Sequence, residues 1–489
     1  MRARFFKLLK SLIKFACLCL IILSGLRIFD SQRGPALELW HTYVPKEKHA
    51  KELDKLNWSQ YLEVENTLFD EVRTEVTEKL NSNERVPVNR YFSGSTVYPG
   101  KFSSDWNHSY ILEPQNPAIG AVVFLHGLTD SPYSLRHIAR RYVAHGYVAI
   151  AIRLPAHGTV PAALTEVKWE DWLAATRLAV REARRRIGPS QPLHLVGYSN
   201  GGALALKYAL DSLENKQLMR PDKLILISPM IGITRFARFA GFAALPAILP
   251  PFAKAAWLSI LPEFNPFKYN SFPINGASQS HRLTTALQQQ IVRLANEGRL
   301  IELPPVLTFQ SVMDSTVSTR AIISAFYANL PENGSELVLF DLNRAAKLGL
   351  LLRPSADTAV ARLLNEPPRK FRTVIITNAN VDSIDVVERV TEVGEINEHV
   401  TPLGLAYPRD VYSLSHVAIP FPVNDSLYGL FPDSKKYGIQ LGTTASRGER
   451  QVLIVSLDTI LRLSSNPFYP YLIKRIEEHI SSTIQERPK

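Results

Sequence analysis

One stretch near the middle of the chain decides the fold class: Leu193-His-Leu-Val-Gly-Tyr-Ser-Asn-Gly-Gly-Ala-Leu-Ala-Leu206. It begins as an apolar strand and continues as an apolar helix, with Gly197-x-Ser199-x-Gly201 at the junction. Small residues two positions before and after the serine permit a sharp strand-to-helix turn, which pushes the serine Oγ out of the sheet. The helix that follows directs its free N–H groups at the same point. This pattern predicts that Ser199 is a nucleophile.

A second stretch, Val122-Val-Phe-Leu-His126-Gly127-Leu128-Thr129, has the pattern of a strand that ends in His-Gly. Acyl transfer at a serine needs backbone N–H groups that bind the oxyanion. One comes from the turn after such a strand and one from the residue after the nucleophile. The predicted donors are therefore Leu128 and Asn200. We interpret His126 as a residue that shapes the loop rather than as a catalytic group.

In folds where a serine nucleophile lies at such a strand-to-helix turn, the nucleophile, the acid and the histidine follow one another along the chain. The acid and the base are therefore sought after Ser199. Asp314 follows the strand-like run 306–310 and is predicted to be the acid, with Asp341 as the competing candidate. Three histidines follow Asp314. His416 is predicted to be the base because it lies at a strand-to-loop transition. The other two lie in a Glu-rich stretch and in a helical C-terminus, and they are His399 and His479.

Short apolar runs alternate with longer helical stretches around these motifs. The strand-like runs are 110–112, 121–125, 147–152, 193–196, 223–227 and 306–310, and the helical stretches include 134–145, 169–187 and 201–211. Such alternation predicts βαβ units and an α/β fold. Runs that are apolar on both faces predict a mostly parallel sheet with helices on both sides.

The fold is expected to occupy residues 108–230 and 301–489. Two segments are too long for ordinary connections between elements. The apolar segment 231–300 is predicted to form an inserted cap or lid. The segment 343–410, which contains one strand-like run at 374–376, is predicted to be a second inserted subdomain.

The composition excludes several classes of protein. The chain has 489 residues, of which 46% are hydrophobic and 21% charged, so it is not a disordered or low-complexity protein. Its two cysteines exclude a disulfide scaffold and a cysteine-ligated zinc site. The net charge of +11 is concentrated in residues 1–29, which hold six basic residues and no acid. The three arginines at 184–186 end a helix and are interpreted as a solvated face, so no nucleic-acid partner is predicted.

The first 107 residues have two expected parts. Residues 1–29 place basic residues before an apolar run at 15–26, which is typical of an export signal. We predict an uncleaved signal anchor with the catalytic domain on the non-cytoplasmic side of the membrane (periplasmic in a bacterium). An interfacial helix or a cleaved signal are the alternatives. Residues 30–107 form a leader, in which apolar residues at helical spacing over 58–80 predict an amphipathic helix packed on the core, with a stalk from the membrane as the alternative.

Taken together, these motifs resemble those of the α/β-hydrolase superfamily, and within it the monoglyceride lipases, bacterial carboxylesterases and serine-aminopeptidase-like hydrolases. The stretches Arg153-Leu-Pro-Ala-His157-Gly158 and Trp169-Glu-Asp-Trp172 extend the likeness. The resemblance implies a Ser199, Asp314 and His416 triad that works through an acyl-enzyme. It also implies that no metal and no organic cofactor is needed.

The predicted substrate is a hydrophobic or lipid-derived carboxylic ester. No acidic residue lies between Asp222 and Glu263, and burial of each methylene of an acyl chain contributes about 0.8 kcal/mol. Four aromatic residues of this segment are predicted to bind the substrate, although they would equally pack a cap on the core: Phe236, Phe239, Phe242 and Trp257. One alternative is a serine peptidase that binds a free amino terminus through Glu263 or Asp171. The other is a catalytically inactive, membrane-tethered binding protein.

Overall fold

The computed structural model describes residues 2–232, 245–347, 358–431, 433–442 and 462–485. Its strands are β1 (Tyr110–Leu112), β2 (Gly120–Leu125), β3 (Tyr147–Ile152), β4 (Leu193–Tyr198), β5 (Lys223–Ile227), β6 (Trp257–Ser259), β7 (Phe272–Pro273), β8 (Val306–Ser311), β9 (Glu336–Phe340), β10 (Arg372–Asn378), β11 (Asp385–Thr391) and β12 (His399–Ala406). Its α-helices are α1 (Arg2–Gln32), α2 (Leu39–Thr42), α3 (Ala50–Leu53), α4 (Trp58–Val72), α5 (Arg136–Ala144), α6 (Trp169–Ile187), α7 (Asn200–Glu214), α8 (Ile274–Asn296), α9 (Thr319–Ala321), α10 (Ala359–Leu363), α11 (Ser434–Tyr437) and α12 (Tyr469–Gln485).

The centre of the molecule is a ten-stranded sheet in the order β1-β3-β2-β4-β5-β8-β9-β10-β11-β12. Every pairing from β3 to β10 is parallel, whereas β1, β11 and β12 are antiparallel to their neighbours. Strands β2 to β5, β8 and β9 are buried along their whole length, because helices cover both faces of the sheet. The predicted α/β fold with a mostly parallel sheet is confirmed. The carboxyl ends of β2, β4 and β8 consequently meet at one edge.

The segment 343–410 is not the separate inserted subdomain that the sequence suggested. β10 pairs in parallel with β9, and β11 and β12 extend the same sheet as antiparallel strands. The apolar run at 374–376 lies in β10 as expected. The other two strands were not predicted because β12 is largely exposed and lacks an alternating apolar face.

The second half of the segment 231–300 belongs to the core rather than to a cap. It forms α8, whose apolar stripe of Leu283, Leu287, Ile291 and Leu294 is completely buried among the other core residues. Before α8, the short antiparallel pair of β6 and β7 stands outside the main sheet. Apolar residues at helical spacing therefore pack the interior of the fold here, as they do in most helices of a globular protein.

The leader is fastened to the core by a buried ionic network. Arg153, in the loop after β3, is fully buried and pairs with two leader carboxylates, at 2.7 Å from Glu47 and 3.3 Å from Glu65. The hydroxyl of Tyr61 on α4 donates to the Arg153 carbonyl oxygen at 2.5 Å. The predicted helix at 58–80 is confirmed as α4 followed by a π-helical turn, and it packs on the core as expected.

The first helix, α1, covers the residues predicted to form a signal anchor. Its C-terminal end contacts β6 and the segment before it: Gln32 Nε2 donates to the Pro251 carbonyl oxygen at 3.0 Å, and Arg27 donates to that of Trp257. Among the residues that the structure describes, no helix combines the length and the apolar character needed to cross a membrane.

The ionic network makes a prediction about stability. Replacing Arg153 with Met removes the cation that Glu47 and Glu65 share, so the free energy of unfolding should fall by about 3–5 kcal/mol. The measurement is urea unfolding of the full chain. The control is Arg73→Met, which removes exposed ion pairs and should change stability by less than about 1 kcal/mol. Equal effects of the two substitutions would show that the leader is not held by this network.

Candidate active site

The turn between β4 and α7 has the shape expected of a nucleophile-bearing elbow. Ser199 has φ 55° and ψ −116°, a conformation that side chains other than glycine rarely adopt. The turn needs glycine on either side of it: a Cβ on Gly201 would lie 2.0 Å from the carbonyl oxygen of Leu125, and one on Gly197 would lie 2.3 Å from that of Gly201. The close approach holds the N-terminus of α7 against the end of β2.

The predicted acid and base are in direct contact. His416 Nδ1 lies 2.8 Å from Asp314 Oδ2, and the histidine side chain is only 4% exposed. The carboxylate is held by its own loop, since Oδ1 accepts from the N–H groups of Thr316 at 2.7 Å and Val317 at 3.0 Å. An ionised carboxylate only accepts hydrogen bonds, so Nδ1 is the donor and Nε2 is left for proton exchange.

Asp314 remains ionised in this setting. Burial by itself would raise the pKa of its carboxyl group. The hydrogen bond and the charge of His416, with the N–H groups of Val317 and Thr316, outweigh burial and hold the pKa below its ordinary value of 3.8. The carboxylate is thus available to orient the imidazole and to stabilise an imidazolium.

His416 reaches the site from a loop. It lies in a turn well beyond the end of β12, so the strand expected just before it is not formed. Its ring packs 5.3 Å from that of Tyr198, the residue before the nucleophile, and the Tyr198 hydroxyl donates to the His416 carbonyl oxygen at 3.5 Å. The structure therefore brings His416 and Asp314 together at the edge of the sheet where β4 ends in Ser199.

The competing candidates have other contacts. Asp341 is buried and accepts from Arg344 at 2.6 Å and from Thr377 at 3.0 Å. His399 begins the exposed edge strand β12, and its ring lies 3.3 Å from the Glu395 carboxylate. His479 lies on α12, where its Nε2 is 3.8 Å from the carboxylate of Glu336. None of these three contacts involves Ser199, His416 or Asp314.

The loop after β2 passes directly beside the nucleophile. A Cβ on Gly127 would lie 3.3 Å from the Cβ of Ser199, so the residue just before the predicted donor Leu128 lies against the serine. The other predicted donor, Asn200, is the first residue of α7, a position whose N–H has no acceptor inside its own helix. Both assignments stay predictions.

His126 shapes this loop, as the sequence indicated. Its Nδ1 donates to the Gly127 carbonyl oxygen at 2.9 Å, while its Nε2 accepts from the Leu154 N–H at 3.0 Å. Burial lowers the pKa of His126 to about 3, so the ring is neutral at physiological pH. Both ring nitrogens are engaged with the backbone.

Two buried carboxylates that support the site were not singled out from the sequence. Asp130 accepts from the Ser134 hydroxyl at 2.7 Å and from the Gly127 N–H at 3.4 Å. Asp425, beyond the histidine loop, accepts from Arg136 at 2.6 Å and from His137 at 2.8 Å, both on α5. The Asp425 contacts span almost three hundred residues of chain, and no local pattern indicates them.

The predicted substrate-binding aromatics have different outcomes. Phe236, Phe239 and Phe242 lie outside the described residues. Trp257 is 3% exposed and packs edge-on against His41 of the leader, with ring centroids 4.9 Å apart, so it faces the leader. In the part of the chain that the structure describes, no group of three or more His, Cys, Asp or Glu residues is arranged to hold a metal ion.

The two carboxylates considered for binding a peptide amino terminus are already engaged. Glu263 is 1% exposed and accepts from the N–H groups of Asn270 at 3.0 Å and Ser271 at 2.7 Å. Asp171 accepts from the N–H of Ala50 at 2.7 Å and from that of Lys168 at 3.0 Å. Both groups stabilise loop and helix ends.

Comparison with known proteins identifies the family of this chain. The family model described as "Alpha/beta hydrolase family" matches residues 122–375, which is more than half of the chain. The chain belongs to the alpha/beta hydrolase family. A curated relative, the thermostable monoacylglycerol lipase of Bacillus sp. (strain H-257), is 32% identical over 95 residues, covering 19% of this chain and 36% of the relative. This alpha/beta hydrolase therefore spans about a third of the length of the curated relative that it matches.

The solved structures that the comparison matched to this chain include two monoglyceride lipases. A soluble variant of the enzyme from Saccharomyces cerevisiae is 14% identical, with 47% of this chain and 81% of that chain covered and a TM-score of 0.38. The monoacylglycerol lipase of Paleococcus ferrophilus is 15% identical, with 47% and 88% covered and a TM-score of 0.35.

The neutral His126 predicts how stability depends on pH. The unfolded chain binds a proton at this ring near pH 6.5, whereas the folded protein does so only near pH 3, so its contribution is complete above pH 6.5 and is lost as pH falls through this range. His126→Gln should therefore flatten the loss of unfolding free energy between pH 6 and 4 by up to about 1.4 kcal/mol per pH unit. Denaturant unfolding at several pH values measures this slope, and parallel curves for the two proteins would contradict the prediction.

Proposed function

We propose that this alpha/beta hydrolase cleaves carboxylic esters through a covalent acyl-enzyme formed at Ser199. The observation that carries the proposal is the hydrogen bond between His416 and Asp314, made at the edge of the sheet where the elbow presents Ser199. A serine is a weak nucleophile until an adjacent base accepts its proton, and the base must itself be oriented by a third group. We assign these roles to Ser199, His416 and Asp314, in that order.

The mechanism follows from these roles. Ser199 Oγ attacks the ester carbonyl carbon while His416 Nε2 takes the Oγ proton, and the oxyanion accepts from the N–H groups of Leu128 and Asn200. The imidazolium, stabilised by Asp314, then donates its proton to the leaving alcohol as the carbon–oxygen bond breaks. Water attacks the acyl-enzyme with His416 as the base, and the proton returns to Ser199 as the acid leaves. No metal or organic cofactor takes part in these steps.

We infer that the substrates are hydrophobic or lipid-derived esters. The support is the local match to a relative named monoacylglycerol lipase and the acid-free apolar sequence between Asp222 and Glu263. Phe236, Phe239 and Phe242 remain proposed contacts of the acyl chain. Trp257 has the weakest support of the four, because it is buried against His41.

The two alternatives have less support. A peptidase that binds a free amino terminus would need a free carboxylate, and both Glu263 and Asp171 are engaged with backbone N–H groups. A catalytically inactive binding protein has no need of the buried hydrogen bond between His416 and Asp314.

Substitution of the three site residues tests the proposal. Ser199→Ala and His416→Ala should each lower kcat/KM for p-nitrophenyl esters by at least about 10³-fold, and Asp314→Asn should lower it to a similar extent because it disturbs the tautomer of His416. The measurement is hydrolysis of esters with acyl chains of increasing length, for which the rate should rise from acetyl to a medium or long chain.

The control for this experiment is Ser190→Ala, which replaces an exposed serine in a loop and should leave the rate unchanged. An aminoacyl p-nitroanilide is assayed in parallel. Cleavage of the anilide without cleavage of any ester would favour the peptidase. A folded wild-type protein that hydrolyses neither would favour the inactive binding protein.

We also propose that α1 lies on an anionic membrane surface. That the catalytic domain is on the non-cytoplasmic side (periplasmic in a bacterium) is a separate proposal, which rests on the export-signal pattern of residues 1–29. Residues 1–29 carry six basic residues and no acid, which complements anionic headgroups. Large apolar side chains of α1 are more than half exposed, and they include Phe6, Leu8, Leu12, Ile13, Phe15, Leu18 and Ile21. Exposed apolar side chains together with basic residues favour association of α1 with such a surface.

Flotation with lipid vesicles tests the membrane proposal. The full chain should float with vesicles that contain phosphatidylglycerol at low salt, and a variant with Lys7, Lys10 and Lys14 changed to Glu should remain largely unbound. Binding that is equal for the two proteins would show that charge attraction is not what holds α1 at the surface. The absence of any binding by the wild type would contradict the proposal itself.

A further inference from the structure

An unusual lysine lies between β6 and β7, close to the residues already described. The side chain of Lys268 is only 16% exposed, and its Nζ lies 3.7 Å from the carboxylate of Asp130. Asp130 itself is 2% exposed. Burial of an ammonium group is costly unless the group is paired, and one carboxylate at this distance is a loose partner.

Three aromatic rings also lie near this ammonium group. Its Nζ lies 5.6 Å from the ring centre of Tyr198, 4.9 Å from that of Phe421 and 5.3 Å from that of Tyr428. A cation this close to several rings is attracted by their negative faces. Tyr198 precedes the nucleophile, and the other two rings belong to the segment after His416. Lys268 therefore lies beside the end of β4, the loop after β2 and the segment after His416.

Its partner Asp130 is connected to the loop that carries the predicted oxyanion donor. Asp130 accepts from the Gly127 N–H, one residue before Leu128, and from the Ser134 hydroxyl. Thr129, which lies between Leu128 and Asp130, has φ 60°, a backbone conformation that persists only when the surrounding contacts hold it. The residue after Lys268 supplies one such contact, since the N–H of Tyr269 donates to the Thr129 carbonyl oxygen at 2.8 Å. The segment around Lys268 thus fixes the loop at two adjacent points.

We propose that Lys268 is a positioning residue that, through Asp130, holds the Leu128 N–H at the place where the oxyanion develops beside Ser199. The proposal rests on the proposed hydrolase function. A Met of similar length would fill the same space without the cost of a buried charge. The role we assign to the Lys268 charge is to align the loop after β2. Loss of this charge should weaken stabilisation of the transition state more than it weakens substrate binding in the ground state.

The electrostatic surroundings make the role testable by pH. Burial lowers the pKa of Lys268 below its ordinary value of 10.5, and Asp130 and Asp425 oppose this shift, while Arg462 reinforces it. The facing rings of Tyr198 and Tyr428 remain neutral, because burial raises their pKa values well above 10. As pH rises through the lowered pKa of Lys268, the ammonium group loses its charge. The ion pair with Asp130 is then lost, and the loop after β2 is held less firmly. The value of kcat should therefore fall at a pH below the range in which solvent-exposed lysines lose their protons.

The experiment compares Lys268→Met, Lys268→Arg and Asp130→Asn in the full chain, with Lys216→Met as the control at an exposed lysine. We expect Lys268→Met to lower kcat for p-nitrophenyl butyrate by 10- to 100-fold with KM changed less than threefold. Lys268→Arg should retain kcat within about fivefold and lose the fall at high pH, because a guanidinium stays protonated. Asp130→Asn combined with Lys268→Met should be no slower than the worse single variant, since the two residues act as a unit.

Several results would overturn the proposal. These are a Lys268→Met protein with wild-type kcat, a change confined to KM, or effects of Lys268 and Asp130 that multiply. If Lys268→Met does not fold, Lys268→Arg decides, because a wild-type pH profile in that variant contradicts the role. A wild type without esterase activity would instead be a failure of the proposed function. In that event, the rate at which a fluorophosphonate labels Ser199 is compared, and equal rates in wild type and Lys268→Met overturn the positioning role.

Discussion

The close contact between the start of α7 and the end of β2 is the constraint on which the rest of the site depends. It exists because Gly197 and Gly201 have no side chains, and it forces Ser199 into a strained conformation at the carboxyl edge of the sheet. The same contact places Gly127 against the Cβ of Ser199, so the nucleophile and the loop after β2 are positioned together. A side chain at Gly201 would separate them, and no rearrangement of His416 or Asp314 would restore the geometry.

Buried charges bring distant segments to this edge. Arg153 connects the loop after β3 to the leader, and Asp425 connects the segment after His416 to α5. Asp130 connects the loop after β2 to Lys268. Ion pairs of this kind add little net stability compared with apolar packing, but they strongly disfavour arrangements in which one partner is left unpaired. The hydrophobic core therefore supplies the stability of the fold, and the charges select how the loops of the site are arranged upon it.

The sequence was sufficient where the signal is local. The buried strands have unbroken apolar runs, the turn at Ser199 has its spaced glycines, and the strand β8 is followed at once by Asp314. His416 was chosen as the base over His399 and His479, although the strand expected before His416 is not formed. Its contact with Asp314 joins residues that are 102 positions apart, because β9 to β12 extend the sheet between them.

The sequence was insufficient where the signal depends on tertiary contacts. β12 has an exposed, unpatterned sequence, α8 has the same apolar periodicity as a cap helix, and the aromatic ring of Trp257 packs on the leader. The roles of three residues depend on partners far along the chain: Asp130, Lys268 and Asp425. A polar residue of this kind is indistinguishable in sequence from one in an ordinary turn.

The central claim is that Ser199 is the residue that becomes acylated, and mass spectrometry after reaction with a phosphonate ester tests it most directly. We expect one adduct per chain, located on the peptide that contains Ser199 and absent from Ser199→Ala. Its rate of formation should fall sharply in His416→Ala, because the serine then lacks its base. An adduct on another residue, or an unmodified wild-type protein under conditions where it is folded, would contradict the account.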